Sequence, residues 1–427
     1  MKQAFSLFDF KQPINYKNEI LAGLTVAMTM IPESLSFAIL AGFPPLTGLY
    51  AAFIMGLVTA VLGGRPGLVS GGAGATVITL IALMKLHGLE YVFAAVVVAG
   101  IIQITVGIFK LGKFVRLVPQ SVMYGFVNGL AIVIFMSQLD QFKVRETGEW
   151  LSGTALYTML GLVALTIGIV WLWPKITKAV PASLVAILAV FGIVLIGGVQ
   201  TKTVSDIASV AGGLPPFHIP QVPFNFETLQ IVLPFGLIMA MVGLTEGLLT
   251  LNLVDEIVGN KGNGNRECVA QGSANILNGF FFGMGGCPMI AQTLVNLSAG
   301  ARARLSAIIA AFTILLIILV GAPVIGKLPM AALVGVMMMV AIGTFEWSSL
   351  RVINKMPKSD IFIGVVVAAV TVLMHNLALA VLIGVILSAL VFAWESARRI
   401  RARKHIDEDG VKHYEIYGPL FFGSTAA

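Results

Sequence analysis

Apolar residues occur in long blocks along nearly the whole chain, separated by short polar or charged breaks. Fourteen blocks can be drawn, at about 20–40, 45–62, 69–86, 89–109, 117–138, 153–173, 180–198, 229–254, 268–283, 287–299, 304–325, 328–345, 360–374 and 376–394. A helix needs about 20 apolar residues to cross a bilayer, whereas a barrel strand shows about ten alternating ones. Lipid offers the backbone no hydrogen-bond partners, so these continuous runs predict helices. The pattern therefore predicts an all-α membrane protein with fourteen transmembrane segments. The third and tenth are interrupted at their starts by small residues: Ser70-Gly71-Gly72-Ala73-Gly74-Ala75 and Gly283-Met284-Gly285-Gly286-Cys287-Pro288. Both are expected to be half-helices.

The two interruptions fall at matching places in the two halves of the chain, about 20–198 and 229–394. Seven segments per half is an odd number, so the second half is expected to be inverted relative to the first, a 7+7 inverted repeat. Paired broken segments in an inverted repeat are a pointer to a transporter binding site. Each half also opens with a long helix carrying an acid: Glu33 in the first, and Glu246 in the second, the sole charge in the 229–254 run. An ionisable group at membrane depth is costly and marks a functional site by default.

Half-helices opening near the midplane present unpaired N–H groups and roughly half a positive charge each. Two facing each other attract an anion without any basic side chain. The neighbours Ala73, Ala75, Thr76, Met289, Ile290, Ala291, Gln292 and Thr293 leave room for a compact ligand. An ionised Glu246 beside an anion is repulsive unless a cation neutralises it. Na⁺ or H⁺ is thus expected as a coupling ion. Thr250, one turn on, offers a hydroxyl oxygen, and unwound carbonyls near Met289 are expected to complete a Na⁺ shell of hard oxygens.

Composition supports the membrane assignment. Of 427 residues, 58% are hydrophobic and 11% charged, and mean hydropathy is +0.95; soluble domains carry about 25% charged residues. With the N-terminus in the cytoplasm and alternating sides, 22 of the 27 Lys and Arg fall inside. Only Lys85, Lys143, Arg145, Lys202 and Lys327 fall outside. That bias follows the positive-inside rule and places both termini in the cytoplasm. Residues 1–19 are polar and mixed in charge, unlike a cleaved signal. The cysteines, Cys268 and Cys287, form no framework or metal signature, and both read as small buried residues. The five histidines (His87, His218, His375, His405, His413) are expected in loops or tails, none paired at metal-ligand spacing. With no nucleophile–base pair and no metal cluster in the membrane, an enzyme is not expected. Neither is a cofactor, nor a nucleic-acid partner.

The tail, 398–427, reads as cytoplasmic. Arg398, Arg399, Arg401, Arg403 and Lys404 suggest a headgroup-facing end of the last helix. Residues 414–422 then read as a strand. A lone strand is unstable in water, so a cytoplasmic domain cut short is expected there.

At the motifs Ile31-Pro32-Glu33-Ser34-Leu35-Ser36-Phe37-Ala38, Gly42-Phe43-Pro44-Pro45-Leu46-Thr47-Gly48-Leu49-Tyr50, Gly63-Gly64-Arg65-Pro66 and Ala270-Gln271-Gly272-Ser273-Ala274-Asn275, the chain resembles the SulP family of inorganic-anion transporters. The resemblance covers essentially the whole chain. It implies core and gate domains, alternating access by movement of the core, a homodimer in the plasma membrane (a bacterial inner membrane), and an anion held between helices three and ten. Ser34, Phe37, Ala73, Gly74, Ala75, Met289, Ile290 and Ala291 are the implied anion-binding positions. Residues 415–424 resemble the first strand of the family's cytoplasmic STAS domain.

The stretch 246–250 is similar to that of cyanobacterial sodium–bicarbonate symporters in the family, where an Asp replaces the Glu. By that likeness Glu246, Thr250 and the backbone at Met289 are Na⁺ candidates, and Glu33 adds a protonatable group. Those symporters carry Thr where Ala73 and Ile290 stand here. Many relatives carry Arg where this chain has Gln292, and Gln where it has Glu33. The expected function is secondary active transport of bicarbonate or sulfate, coupled to Na⁺ or H⁺. The alternatives are an uncoupled exchanger or channel, a small-dicarboxylate transporter, and a nucleobase transporter of the same fold. The last tends to have acids on both helix eight and helix ten, and here helix ten offers only Gln292.

Overall fold

The computed structural model describes residues 15–417, except 112–118, 145–148, 178–179, 207–211, 353–354, 375–376, 398–400 and 407–410. Readings of residues 1–14 and 418–427, of Arg145, His375, Arg398 and Arg399, lie outside the described residues.

The first half of the chain runs α1 (Tyr16–Leu40), α2 (Pro45–Leu62), β1 (Ser70–Gly71), α3 (Gly74–Ile78), α4 (Ile81–His87), α5 (Leu89–Ile108), α6 (Gln120–Leu139), α7 (Gly153–Ile176) and α8 (Ala182–Gly197). The second runs α9 (Phe226–Val258), α10 (Gly264–Phe280), β2 (Cys287–Pro288), α11 (Ile290–Ser298), α12 (Leu305–Gly326), α13 (Met330–Thr344), α14 (Trp347–Val352), α15 (Lys358–Met374) and α16 (Leu377–Ala397). A hairpin of β3 (Arg401–Ile406) and β4 (Lys412–Tyr417) follows. Among the described residues seven helices are long and apolar enough to cross a membrane, and four more apolar helices are shorter. The protein is thus a multi-pass, mostly helical membrane protein.

The chain divides into two compact units, Met1–Leu117 with Ala131–Thr344, and Val118–Leu130 with Phe345–Ala427. In the first, α5 packs along both α10 and α9, and α12 packs on α1 and α2. Glycines set the α5–α10 distance. A Cβ on Gly100 would stand 2.5 Å from the Gly272 carbonyl oxygen, and one on Gly272 equally close to that of Gly100. Small residues of this kind let helices approach backbone to backbone where lipid supplies no hydrophobic drive.

Buried ionic groups fasten the helix ends of this unit. Glu19 accepts from the backbone N–H groups of Arg302, Ala303 and Ser306 at 2.6, 2.8 and 2.9 Å, which caps the start of α12. Arg304 donates to the carbonyls of Ala60 in the last turn of α2 and of Gly63 just past it. Glu267 accepts from Gly64 N–H at 2.8 Å, and Arg65 pairs with Asp255 at 3.1 Å. In the second unit, Asn128 receives the backbone N–H of Glu346 and donates to the Ser349 hydroxyl, both at 2.8 Å, fixing the start of α14.

Two expectations for the tail change. Arg401, Arg403 and Lys404 belong to a strand and not to the end of α16. The expected strand near 414 is present, but it is not alone: it pairs antiparallel with β3 in the register Arg401↔Tyr417 to Ile406↔Lys412. Among the described histidines one departs from the expected loops and tails. His87 is the last residue of α4. His405 and His413 are opposed across the hairpin with ring centroids 4.9 Å apart, a proximity hidden by their separation in sequence. Among the described residues no group of three or more His, Cys, Asp or Glu is placed to hold a metal.

Candidate functional site

The two interrupted segments meet. β1 and β2 pair antiparallel, with Ser70 opposite Pro288 and Gly71 opposite Cys287. Each strand has two residues, then its helix begins: α3 after Ala73, and α11 after Met289. Antiparallel strands that each lead into a helix send those helices in opposite directions from a shared crossing. The first rungs are Val77 N–H to Ala73 O at 3.1 Å and Thr293 N–H to Met289 O at 3.0 Å. The N–H groups of residues 74–76 and 290–292 therefore have no intrahelical acceptor. Neither N-cap side chain supplies one. The first half-helix turns at Thr79, whose hydroxyl donates to Thr76 O, and continues as α4.

Glycine makes the crossing possible. A Cβ on Gly286 would collide with the Gly71 carbonyl, and one on Gly74 with the ring of Phe37. Further bonds stitch α11 to the first half of the chain. Met289 N–H donates to Val69 O at 2.9 Å, Val69 N–H to the Thr293 hydroxyl at 3.1 Å, and Asn296 to Gly67 O at 2.9 Å. Behind the crossing, fully buried Asn275 on α10 bonds both backbone groups of Gly286, accepting at 2.9 Å and donating at 3.1 Å. It also donates to Gln103 on α5 at 2.9 Å.

Both acids reach this crossing. The Cys287 thiol donates to Glu246 Oε2 at 3.0 Å. The Glu246 helix comes within reach of α3 as well: a Cβ on Gly243, one turn before Glu246, would meet both Cys287 and Thr76 at 3.5 Å. Glu33 on α1 accepts a short hydrogen bond from the Gln292 amide on α11. Phe37, one turn further along α1, lies against Gly74. Ser34 is buried with an unpartnered hydroxyl. Ala73, Ala75 and Met289 are buried, whereas Ile290 and Ala291 are exposed at the mouth of α11. The stretches 33–37, 73–76, 246–250 and 289–293 contain no Lys or Arg.

The oxygen donors are arranged less freely than expected. Thr250 is buried and its hydroxyl donates to Glu246 O at 2.7 Å, which leaves the oxygen lone pairs for a cation. Met289 has extended backbone as the N-cap, and its carbonyl accepts the first rung of α11 from Thr293. Sequence reasoning also missed Cys287 and Asn275. Their small or amide side chains carried no pattern of their own. The one available signal was their position inside the glycine-interrupted run, or eleven residues before its Gly286.

The profile described as the sulfate permease family matches residues 16–369. The chain belongs to the sulfate permease family. Its relatives include the putative sulfate transporter YbaR of Bacillus subtilis, 42% identical over 96% of this chain and 84% of the relative. The bicarbonate transporter BicA of Synechocystis is 31% identical over 97% of this chain and 79% of the relative. Among solved structures, the transmembrane domain of a cyanobacterial BicA superposes with TM-score 0.75 at 29% identity, covering 86% of this chain and 98% of that one. SLC26A9 superposes with TM-score 0.78 at 18% identity, over 95% of this chain and 70% of that one, a likeness of fold alone. The family and these relatives are transporters and not enzymes, and they support anion transport for this sulfate permease family member.

Proposed function

We propose that the protein is a secondary active transporter that carries a small inorganic anion, bicarbonate or sulfate, together with Na⁺ or H⁺ by alternating access. The reading extends to fourteen spans in a 7+7 inverted repeat with both termini cytoplasmic, supported by the distribution of Lys and Arg and by the matching breaks at α3 and α11.

One observation carries it: two half-helix N-termini diverge from a shared crossing, with two carboxylates beside them and no Lys or Arg in the stretches 33–37, 73–76, 246–250 and 289–293. The free N–H groups supply positive potential for an oxyanion. Glu246 opposes that potential when ionised. A proton on the carboxylate, or a Na⁺ held by it and the Thr250 oxygen, removes the opposition, so anion and cation favour each other's binding. This reciprocity is the thermodynamic basis of symport. Uptake of labelled bicarbonate and sulfate into proteoliposomes tests it. Uptake should rise with an imposed inward Na⁺ or H⁺ gradient, and Glu246→Gln should remove that stimulation. Uptake indifferent to both gradients would point to an uncoupled pathway.

A further inference from the structure

The β3–β4 hairpin brings two histidines together. His405 and His413 are direct partners in its register. Residues opposed in this way project from the same face of an antiparallel pair, with Cβ atoms about 4.5–5.5 Å apart. Their rings lie nearly parallel, at 14°, with centroids 4.9 Å apart. Both residues are exposed, so burial does not account for the pairing. The adjacent rungs set Lys404 opposite Tyr414 and Ile406 opposite Lys412. Strand alternation assigns those residues to the other face, so neither lysine shares a face with the imidazoles.

Two imidazoles side by side on one face make a chelate. Two Zn–N bonds of about 2.0–2.1 Å set their nitrogens about 3 Å apart. The ring torsion χ2 of histidine is broad and soft. A modest turn of each ring therefore reaches that span without moving the strands. Imidazole suits Zn²⁺, Cu²⁺ and Ni²⁺, whereas Mg²⁺ and Ca²⁺ take oxygen ligands. Among the described residues no third His, Cys, Asp or Glu completes a cluster. Water then fills the remaining positions, and the ion exchanges more readily than in a closed four-ligand structural site.

We propose that His405 and His413 form a two-histidine site for a divalent transition-metal ion, which clips β4 to β3. The clip would act where the chain leaves the membrane helices, since β3 begins at Arg401 shortly after α16 ends at Ala397. Neither the family profile nor the relatives' names assign a metal here. The proposal is independent of the anion-transport reading.

Cu²⁺ and Zn²⁺ added to tag-free purified protein test it, at about pH 7.5, where an ordinary imidazole is neutral. Substoichiometric Cu²⁺ should show electron-spin coupling to two imidazole nitrogens in the wild type and to fewer in either single variant. His405→Tyr and His413→Tyr keep an aromatic ring and a strand-favouring residue while removing the ligand. Each should weaken Zn²⁺ binding, measured by calorimetry, at least about tenfold, since loss of even a ligand's supporting partner costs that much. A metal that binds only the closed hairpin also resists its opening by mass action. At Zn²⁺ about ten times its Kd, tryptic cleavage after the exposed Lys404 and Lys412 should slow about tenfold in the wild type and not in His413→Tyr. Equal Zn²⁺ affinity in the wild type and both Tyr variants overturns the site. Cleavage indifferent to Zn²⁺ in the wild type overturns the clip.

Discussion

The thiol of Cys287 donates to the carboxylate of Glu246 across 3.0 Å, and so ties α9 to the strand that opens α11. The bond engages Oε2, which in the coupling proposed above leaves Oε1 for the cation. Cys287 acts through Glu246, as a positioning residue.

That arrangement predicts a graded response at position 287. Cys287→Ser keeps a donor and should leave the half-saturating cation concentration near the wild-type value. Cys287→Ala removes a hydrogen bond to a charged group, a loss of about 1.5 kcal/mol, and should raise the half-saturating Na⁺ concentration about tenfold. Initial rates of anion uptake against Na⁺ concentration measure the shift. A merely structural cysteine would alter protein yield in both variants and leave the cation dependence alone.

Gly286→Ala should destabilise the membrane domain by about 2 kcal/mol, because the new methyl is driven into the Gly71 carbonyl at the crossing. Gly161→Ala is the matched control. Gly161 lies within α7 with open space where a Cβ would go, so there the exchange should stabilise by about 0.5–1 kcal/mol. Thermal unfolding of both variants in detergent checks the contrast in sign.

Asn275→Ala should leave both Gly286 backbone groups and the Gln103 carbonyl unsatisfied in a buried site. Each orphan costs about 1–3 kcal/mol. Asn275→Asp restores the acceptor for Gly286 N–H but not the donors, and should lie between wild type and Ala. Melting temperature orders the three proteins, and loss of anion uptake should follow the same order.

Glu19→Ala should weaken the start of α12 by about 2–4 kcal/mol, since one carboxylate satisfies three backbone N–H groups there and its charge complements the helix dipole. Glu19→Gln keeps an acceptor without the charge and should lose less. Thermal unfolding of the two variants measures the difference.

Much of the site was legible in the chain. Glu246 is legible because a lone charge within 229–254 has no cheap explanation in lipid. The two breaks are legible because small residues interrupt otherwise continuous apolar runs. The pairing of those breaks through Ser70–Gly71 and Cys287–Pro288 was not, since two-residue strands have no periodicity to read. Neither was the bond from Gln292 to Glu33, which joins residues 259 positions apart. In the tail, the basic run Arg401–Lys404 reads equally as helix end or strand from composition, and long-range pairing with Lys412–Tyr417 decides it. The hydrogen bond at the Met289 carbonyl was not legible either: an N-cap residue gives its C=O to the first turn of its helix, and the start of α11 shows only in the structure.

The backbone bonds between Ser70–Gly71 and Cys287–Pro288 have a mechanical consequence. Neither half-helix can be withdrawn alone without breaking the ladder that joins them. With Asn275 gripping Gly286 from behind and Thr293 gripping Val69 from the side, the two arms form a single stiff crossbar. A crossbar does not open like a pair of jaws. In the alternating access proposed above, an anion held there is released by movement of its surroundings, and the grip keeps its shape.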